Sequence, residues 1–172
     1  VIRVVLGDLA EQGVDAVVRA VRADLEPVNA LSRDLGTAAG ETLKTHLERI
    51  GTLPVGGAIM TPGGDLPADY VIHVVVMSDD EPQSPLTVQR AVRNGLRRAS
   101  DWGLDSLALP PLGIGVGTLD ADASARALVE TLVDHLHEEN EALALTVVVS
   151  SEYEQGLFIR LVDELSRDRL PS

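Results

Sequence analysis

The chain contains no cysteine, which excludes disulfides, thiolate-ligated zinc, iron–sulfur clusters and a cysteine nucleophile. Aromatic residues make up only 2%, so a core must be filled by Val, Leu, Ile and Ala, the residues of helices packed on a buried sheet. Positive charge is also scarce: 14 Lys and Arg stand against 27 Asp and Glu, a net charge of −13. That balance repels nucleic-acid backbones and anionic membranes, and neither is expected as a partner. An anionic ligand would have to be held by backbone N–H groups and a helix N-terminus, which act locally and need no net positive field. No apolar run is long enough to span a bilayer, and the alternating start Val1-Ile2-Arg3-Val4-Val5 lacks the layout of a signal peptide. The expectation is a soluble, cytoplasmic protein.

What is present is a chain of 172 residues with 45% apolar content, enough for one well-filled core and short for two, so residues 1–172 are read as a single domain. Val-rich runs predict strands over Ile2 to Leu6, Ala16 to Val18, Gly57 to Thr61, Tyr70 to Val76, Ser106 to Leu109 and Leu143 to Val149. Tyr70 to Val76 is apolar on both faces and reads as a central strand. Apolar spacings of three and four predict helix from about Asn29 to Ile50, as one broken helix or two because Gly36 and Gly40 interrupt it. A further helix is predicted from a Ser84 cap and Pro85 to Trp102-Gly103, and another over about Asp122 to Glu139. The last opens with a capping box, Ser151-x-x-Glu154, and carries Leu157, Phe158, Leu161, Val162 and Leu165 inward. Strands alternating with helices imply an α/β fold in three layers, a mixed central sheet between two helical layers. Ligands of such sheets sit at the carboxyl ends of the strands.

One loop has the chemistry for a phosphate. Gly113-Ile114-Gly115-Val116-Gly117 follows a strand and precedes a helix, so its backbone can approach oxygen atoms without Cβ interference and turn successive amides toward one anion. The spacing is neither Gly-x-Gly-x-x-Gly nor that of a P-loop. Three glycines equally suit a tight connection, and the pattern alone leaves both readings open.

Three stretches in matching order and spacing identify a resemblance to the macrodomain (Appr-1''-p processing) family, which covers nearly the whole chain. They are Gly7-Asp8-Leu9 with Val14-Asp15-Ala16-Val17-Val18, then Gly57-Ala58 with Thr61 to His73, then Leu109 to Gly117. The resemblance implies an ADP-ribose cleft, with ADP-ribose or an ADP-ribosylated protein as the partner. In it Asp8 would accept from the adenine amino group, Leu9 would add a backbone contact, and Gly113, Ile114, Gly115, Val116 and Gly117 would form the diphosphate loop. Tyr153 resembles the family's adenine-stacking aromatic, with Phe158 as second choice, although both also suit the core.

The first loop departs from the family. Arg19-Ala20-Val21-Arg22 stands where the family shows Asn-Ala-Ala-Asn, and about Val28-Asn29-Ala30 where it shows three glycines; Thr118 replaces a glycine in the second loop. No catalytic residue is therefore assigned, and a non-catalytic ADP-ribose-binding module is expected. The alternatives are an ADP-ribosyl or O-acetyl-ADP-ribose hydrolase and a degenerate macrodomain serving as a protein-interaction unit. Arg22 or Arg19 would supply charge-assisted contacts to phosphate or ribose; otherwise both read as a solvent-exposed strand end. No metal site and no cofactor are expected: His73 reads as a satisfied core histidine, His46 is isolated, and His135 and His137 point apart on a helix. Asp120 and Asp122 read as helix caps and Asp79-Asp80-Glu81 as a solvated loop. No serine sits in a Gly-x-Ser-x-Gly elbow. A monomer is expected.

Overall fold

The computed structural model describes residues 1–113, 120–140 and 142–169. The strands are β1 Ile2–Leu6, β2 Ala16–Arg22, β3 Ala58–Pro62, β4 Tyr70–Met77, β5 Ser106–Leu109 and β6 Ala144–Val149, in the order β1-β6-β5-β2-β4-β3. β1, β6, β5, β2 and β4 run parallel, and β3 lies antiparallel on the outer side of β4. Five strands therefore end at one edge, which gathers the turns after Leu6, Arg22, Met77, Leu109 and Val149.

The helices are α1 Ala30–Ala39, α2 Glu41–Ile50, α3 Pro85–Asp101, α4 Ala121–Glu138 and α5 Glu152–Asp168. The two-residue period of a strand assigns its faces. On β2, Ala16, Val18 and Ala20 join the cluster built with α3, α4 and α5, whereas Val17 packs with Leu35, Ala39 and Leu43 of α1 and α2. β4 divides the same way, Ile72, Val74 and Val76 against Val71. Apolar side chains on both faces are the reason these runs carry no alternation. The result is the expected three-layer α/β/α sandwich with a mixed sheet.

Local chemistry sets the helix ends. Ser84 accepts from the Thr87 amide and Thr87 Oγ1 accepts from the Ser84 amide, a reciprocal box with Pro85 in the first turn. The long helical stretch from Asn29 divides at Gly40, whose φ of +90° only glycine adopts without strain. The capping box expected at α5 is displaced by one residue. Ser151 accepts from the Glu154 amide, but the Glu154 carboxylate accepts from the amide and hydroxyl of Ser150 and, at 3.5 Å, from the Ser151 hydroxyl, rather than from the Ser151 amide. Phe158 is fully buried beneath α5, in the core rather than at a ligand edge.

Candidate functional site

At the edge where the parallel strands end, the chain leaving β1 stays bound to β6 through the Gly7 amide on the Val149 carbonyl (3.1 Å). Asp8 then caps a short 3-10 turn, Leu9–Glu11, accepting from the Ala10 amide at 3.0 Å. Leu9 buries its side chain beside Val17, Leu35 and Ala108, which anchors the turn and leaves Asp8 exposed at the rim. Asp8 therefore fills the turn role its position suggests while keeping a carboxylate oxygen without a hydrogen bond among the described residues. Tyr153 stands on the first turn of α5, four residues beyond β6, and is 73% exposed. Its ring is not core filler, in contrast to Phe158.

Beyond β5 the chain turns at Pro110, whose carbonyl accepts from the Leu112 amide (2.8 Å), and reaches Gly113 at a φ of +86°. A Cβ there would stand 3.4 Å from a methyl of Val88 on α3 and 3.8 Å from Cβ of Ser124 on α4. Gly113 is thus buried at the start of the loop in a left-handed conformation that favours glycine. The Ser124 hydroxyl beside it is buried and has no hydrogen-bond partner among the described residues. Asp120 caps α4 through the Asp122 amide, as expected of it. Ile114, Gly115, Val116, Gly117 and Thr118, the rest of the anticipated diphosphate loop, lie outside the described residues.

The first loop is a tight reversal. The Leu25 amide donates to the Arg22 carbonyl (2.8 Å), the Arg22 amide to the Glu26 carbonyl (2.9 Å), and Val21 bridges Pro27. Leu25 takes a φ of +69° and still buries its side chain with Val21 and Val75. A left-handed leucine costs about 1–2 kcal/mol, which this burial offsets. Arg22 turns its guanidinium toward β4, where it pairs with Asp79 and lies by the Met77 sulfur. β4 is the neighbour of β2 opposite β5, so this pair points away from Gly113.

Arg19 overturns the expectation of a solvent-exposed strand end: only 4% of it is accessible. β2 lies between β5 and β4, and residue 19 faces α1, so its side chain has nowhere to go but inward. Nε donates to the Ser32 carbonyl (2.8 Å) and Nη1 to Nδ1 of His73 (3.3 Å). Since arginine can only donate, His73 Nδ1 accepts, Nε2 carries the ring proton, and Thr61 Oγ1 receives it at 2.9 Å. Burial, and after it the Arg19 charge, holds the imidazole down at about 3, so the ring is neutral. His73 is a satisfied core histidine. His135 is also buried, against the Ser100 hydroxyl at 3.1 Å. Among the described residues no cluster of His, Asp and Glu is arranged to hold a metal, and no helix is long and apolar enough to cross a membrane.

The position of Arg19 was the part that sequence reasoning missed. The available signal was Gly36, a glycine amid helix formers on the face of α1 that receives the guanidinium.

Comparison with known proteins agrees with this architecture. The family model for the Macro domain matches residues 18–128. An O-acetyl-ADP-ribose deacetylase of Enterobacter cloacae is 30% identical over 97% of this chain and 96% of its own length. A macro domain-containing protein of Cupriavidus necator is 31% identical over 98% of this chain and 96% of its own. In structure, the Oceanobacillus iheyensis macrodomain solved with ADP superimposes with a TM-score of 0.84 at 23% identity, over 96% of this chain and 91% of that one. A chain with this sheet order, this glycine-led turn after β5 and these relatives belongs to the macrodomain family.

Proposed function

We propose that the chain, as a single domain over residues 1–172, binds ADP-ribose, free or attached to a protein, at the edge where its parallel strands end. The observation that carries this reading is Gly113, held at a φ of +86° between Val88 and Ser124 at the entrance to a loop with glycines at 115 and 117. A backbone shaped this way can offer its following amides to a diphosphate without help from lysine or arginine. That matters in a chain of net charge −13. Asp8, with an unengaged carboxylate oxygen, suits the adenine amino group. Leu9 contributes main-chain contact, and the exposed ring of Tyr153 offers a stacking surface. Arg22 would reach a phosphate only by leaving Asp79, which is 92% exposed; a surface pair of that kind is worth at most about 1 kcal/mol.

Binding without catalysis is the reading favoured by the first loop. Arg19 and Arg22 occupy the positions of the family's two asparagines, the one buried against Ser32 and His73 and the other bound to Asp79. A guanidinium only donates, so neither can accept a proton from a water and aim it as an asparagine carbonyl would. A hydrolase is the second reading, favoured by the full-length similarity to a protein named O-acetyl-ADP-ribose deacetylase. Titration calorimetry with ADP-ribose, ADP and AMP, beside a deacetylation assay on O-acetyl-ADP-ribose, separates them. Saturable ADP-ribose binding without turnover supports the first, robust turnover supports the second, and no heat with any nucleotide overturns both. A monomeric, cytoplasmic module is part of the same proposal.

A further inference from the structure

Arg19 is a buried charge without a countercharge. Its two partners, the Ser32 carbonyl and the His73 ring, are neutral. Among the described residues no carboxylate comes within 4.0 Å of it. Burial lowers the guanidinium pKa, and Glu26 opposes that only through its field from a distance. The second N–H of Nη1 and both of Nη2 have no acceptor among the described residues. Nη2 lies beside Gly36, where even a Cβ would stand 3.0 Å away. Nη2 is not among the fully enclosed unpartnered atoms, so what reaches it comes through the cleft; a guanidinium this deeply buried is stabilised when an anion rather than water alone meets it.

The space to do so is present. Arg19 and Gly36 both line a cleft of about 630 Å³ between the turn at 24–27, α1 and α2, a volume suited to a small molecule. Leu25, Leu43 and Leu47 form apolar wall around the charge. Farther out, Asp24, Glu26, Glu41 and Glu48 outnumber Arg33 and Lys44. That surplus of negative charge disfavours a dianion, while the guanidinium requires an anion. The cleft opens on the α1 and α2 side of the sheet, away from Gly113, which is enclosed by α3 and α4.

We propose that this cleft is a second ligand site, separate from the nucleotide edge, for a small monocarboxylate with a short apolar chain. The carboxylate accepts from the unpartnered N–H groups of Nη1 and Nη2 in the fork geometry that arginine offers. The chain lies along Leu25, Leu43 and Leu47. Gly36 is glycine because a side chain there would push the guanidinium off the carboxylate.

Hexanoate, hexanol and hexyl phosphate titrated into ¹⁵N-labelled protein at pH 8, followed by amide shifts, test this directly. Hexanoate is expected to saturate, with shifts at residues 24–27 and along α1 and α2, and hexanol to bind at least tenfold more weakly. Arg19→Met should remove the hexanoate response. Thr37, exposed on α1, lines the same cleft and keeps Arg19 in place when substituted; Thr37→Trp narrows the cleft and should weaken hexanoate at least tenfold even where Arg19→Met does not fold. Hexanol binding as well as hexanoate, hexyl phosphate binding more tightly, or an unaltered response in Thr37→Trp would each overturn the proposal.

Discussion

Replacing His73 by glutamine should remove a defined part of the acid sensitivity of this fold. In the native chain the imidazole accepts from Arg19 at Nδ1 and donates from Nε2 to Thr61, and its pKa lies at about 3 against an ordinary 6.5. On unfolding, the ring takes up a proton at any pH between those two values, whereas in the folded protein it does not. Stability from this group is therefore complete above the unfolded pKa and is lost as pH falls toward the folded one. One proton of difference gives a slope of about 1.4 kcal/mol per pH unit, so the loss between about pH 7 and pH 4.5 is roughly 2.5 kcal/mol. Glutamine keeps an acceptor for Arg19 and a donor for Thr61 but does not titrate. Urea unfolding of the two proteins across that range measures the difference, and the many exposed carboxylates contribute equally to both. Parallel curves for wild type and His73→Gln would refute the buried neutral ring and the hydrogen-bond chain built on it.

Four other outcomes follow from the fold and the proposed site. Asp8→Ala should weaken ADP-ribose by about 1–2 kcal/mol, the value of one hydrogen bond to a carboxylate, as read by calorimetry. Gly115→Glu should abolish nucleotide binding by bringing bulk and negative charge to the phosphate seat, while circular dichroism and the thermal midpoint stay close to wild type. Phe158→Ala should destabilise the protein by about 3–5 kcal/mol in urea unfolding. Tyr153→Ala, at a 73% exposed position, should leave stability almost unchanged and weaken nucleotide binding instead.

Much of the fold was legible in the sequence because its signals are local. The caps at Ser84 and Ser151, the interruption at Gly40 and the two-sided apolar run at Val71 to Val76 each act through neighbouring residues. The first loop was not legible, for a physical reason. An arginine at position 19 has the same letter whether β2 ends before it or runs on to Arg22, and the strand runs on because β4 pairs with it as far as Arg22. A leucine with positive φ at position 25 has no sequence signature, since its conformation is stabilised by burial against Val21 and Val75. Pairing of Arg22 with Asp79 joins residues 57 apart, beyond the reach of any local pattern. Asp8, Gly113 and Tyr153 are expected as ligand contacts through the family resemblance, and the structure adds the exposure of Tyr153 and the left-handed backbone of Gly113.

The central claim is that main-chain amides following Gly113 hold a diphosphate, and amide-resolved NMR during an ADP-ribose titration tests it most directly. The amides of Ile114, Gly115 and Val116 should shift most, together with those of Asp8 and Leu9, and saturate at one equivalent. Saturable binding that leaves those three amides unmoved would contradict it.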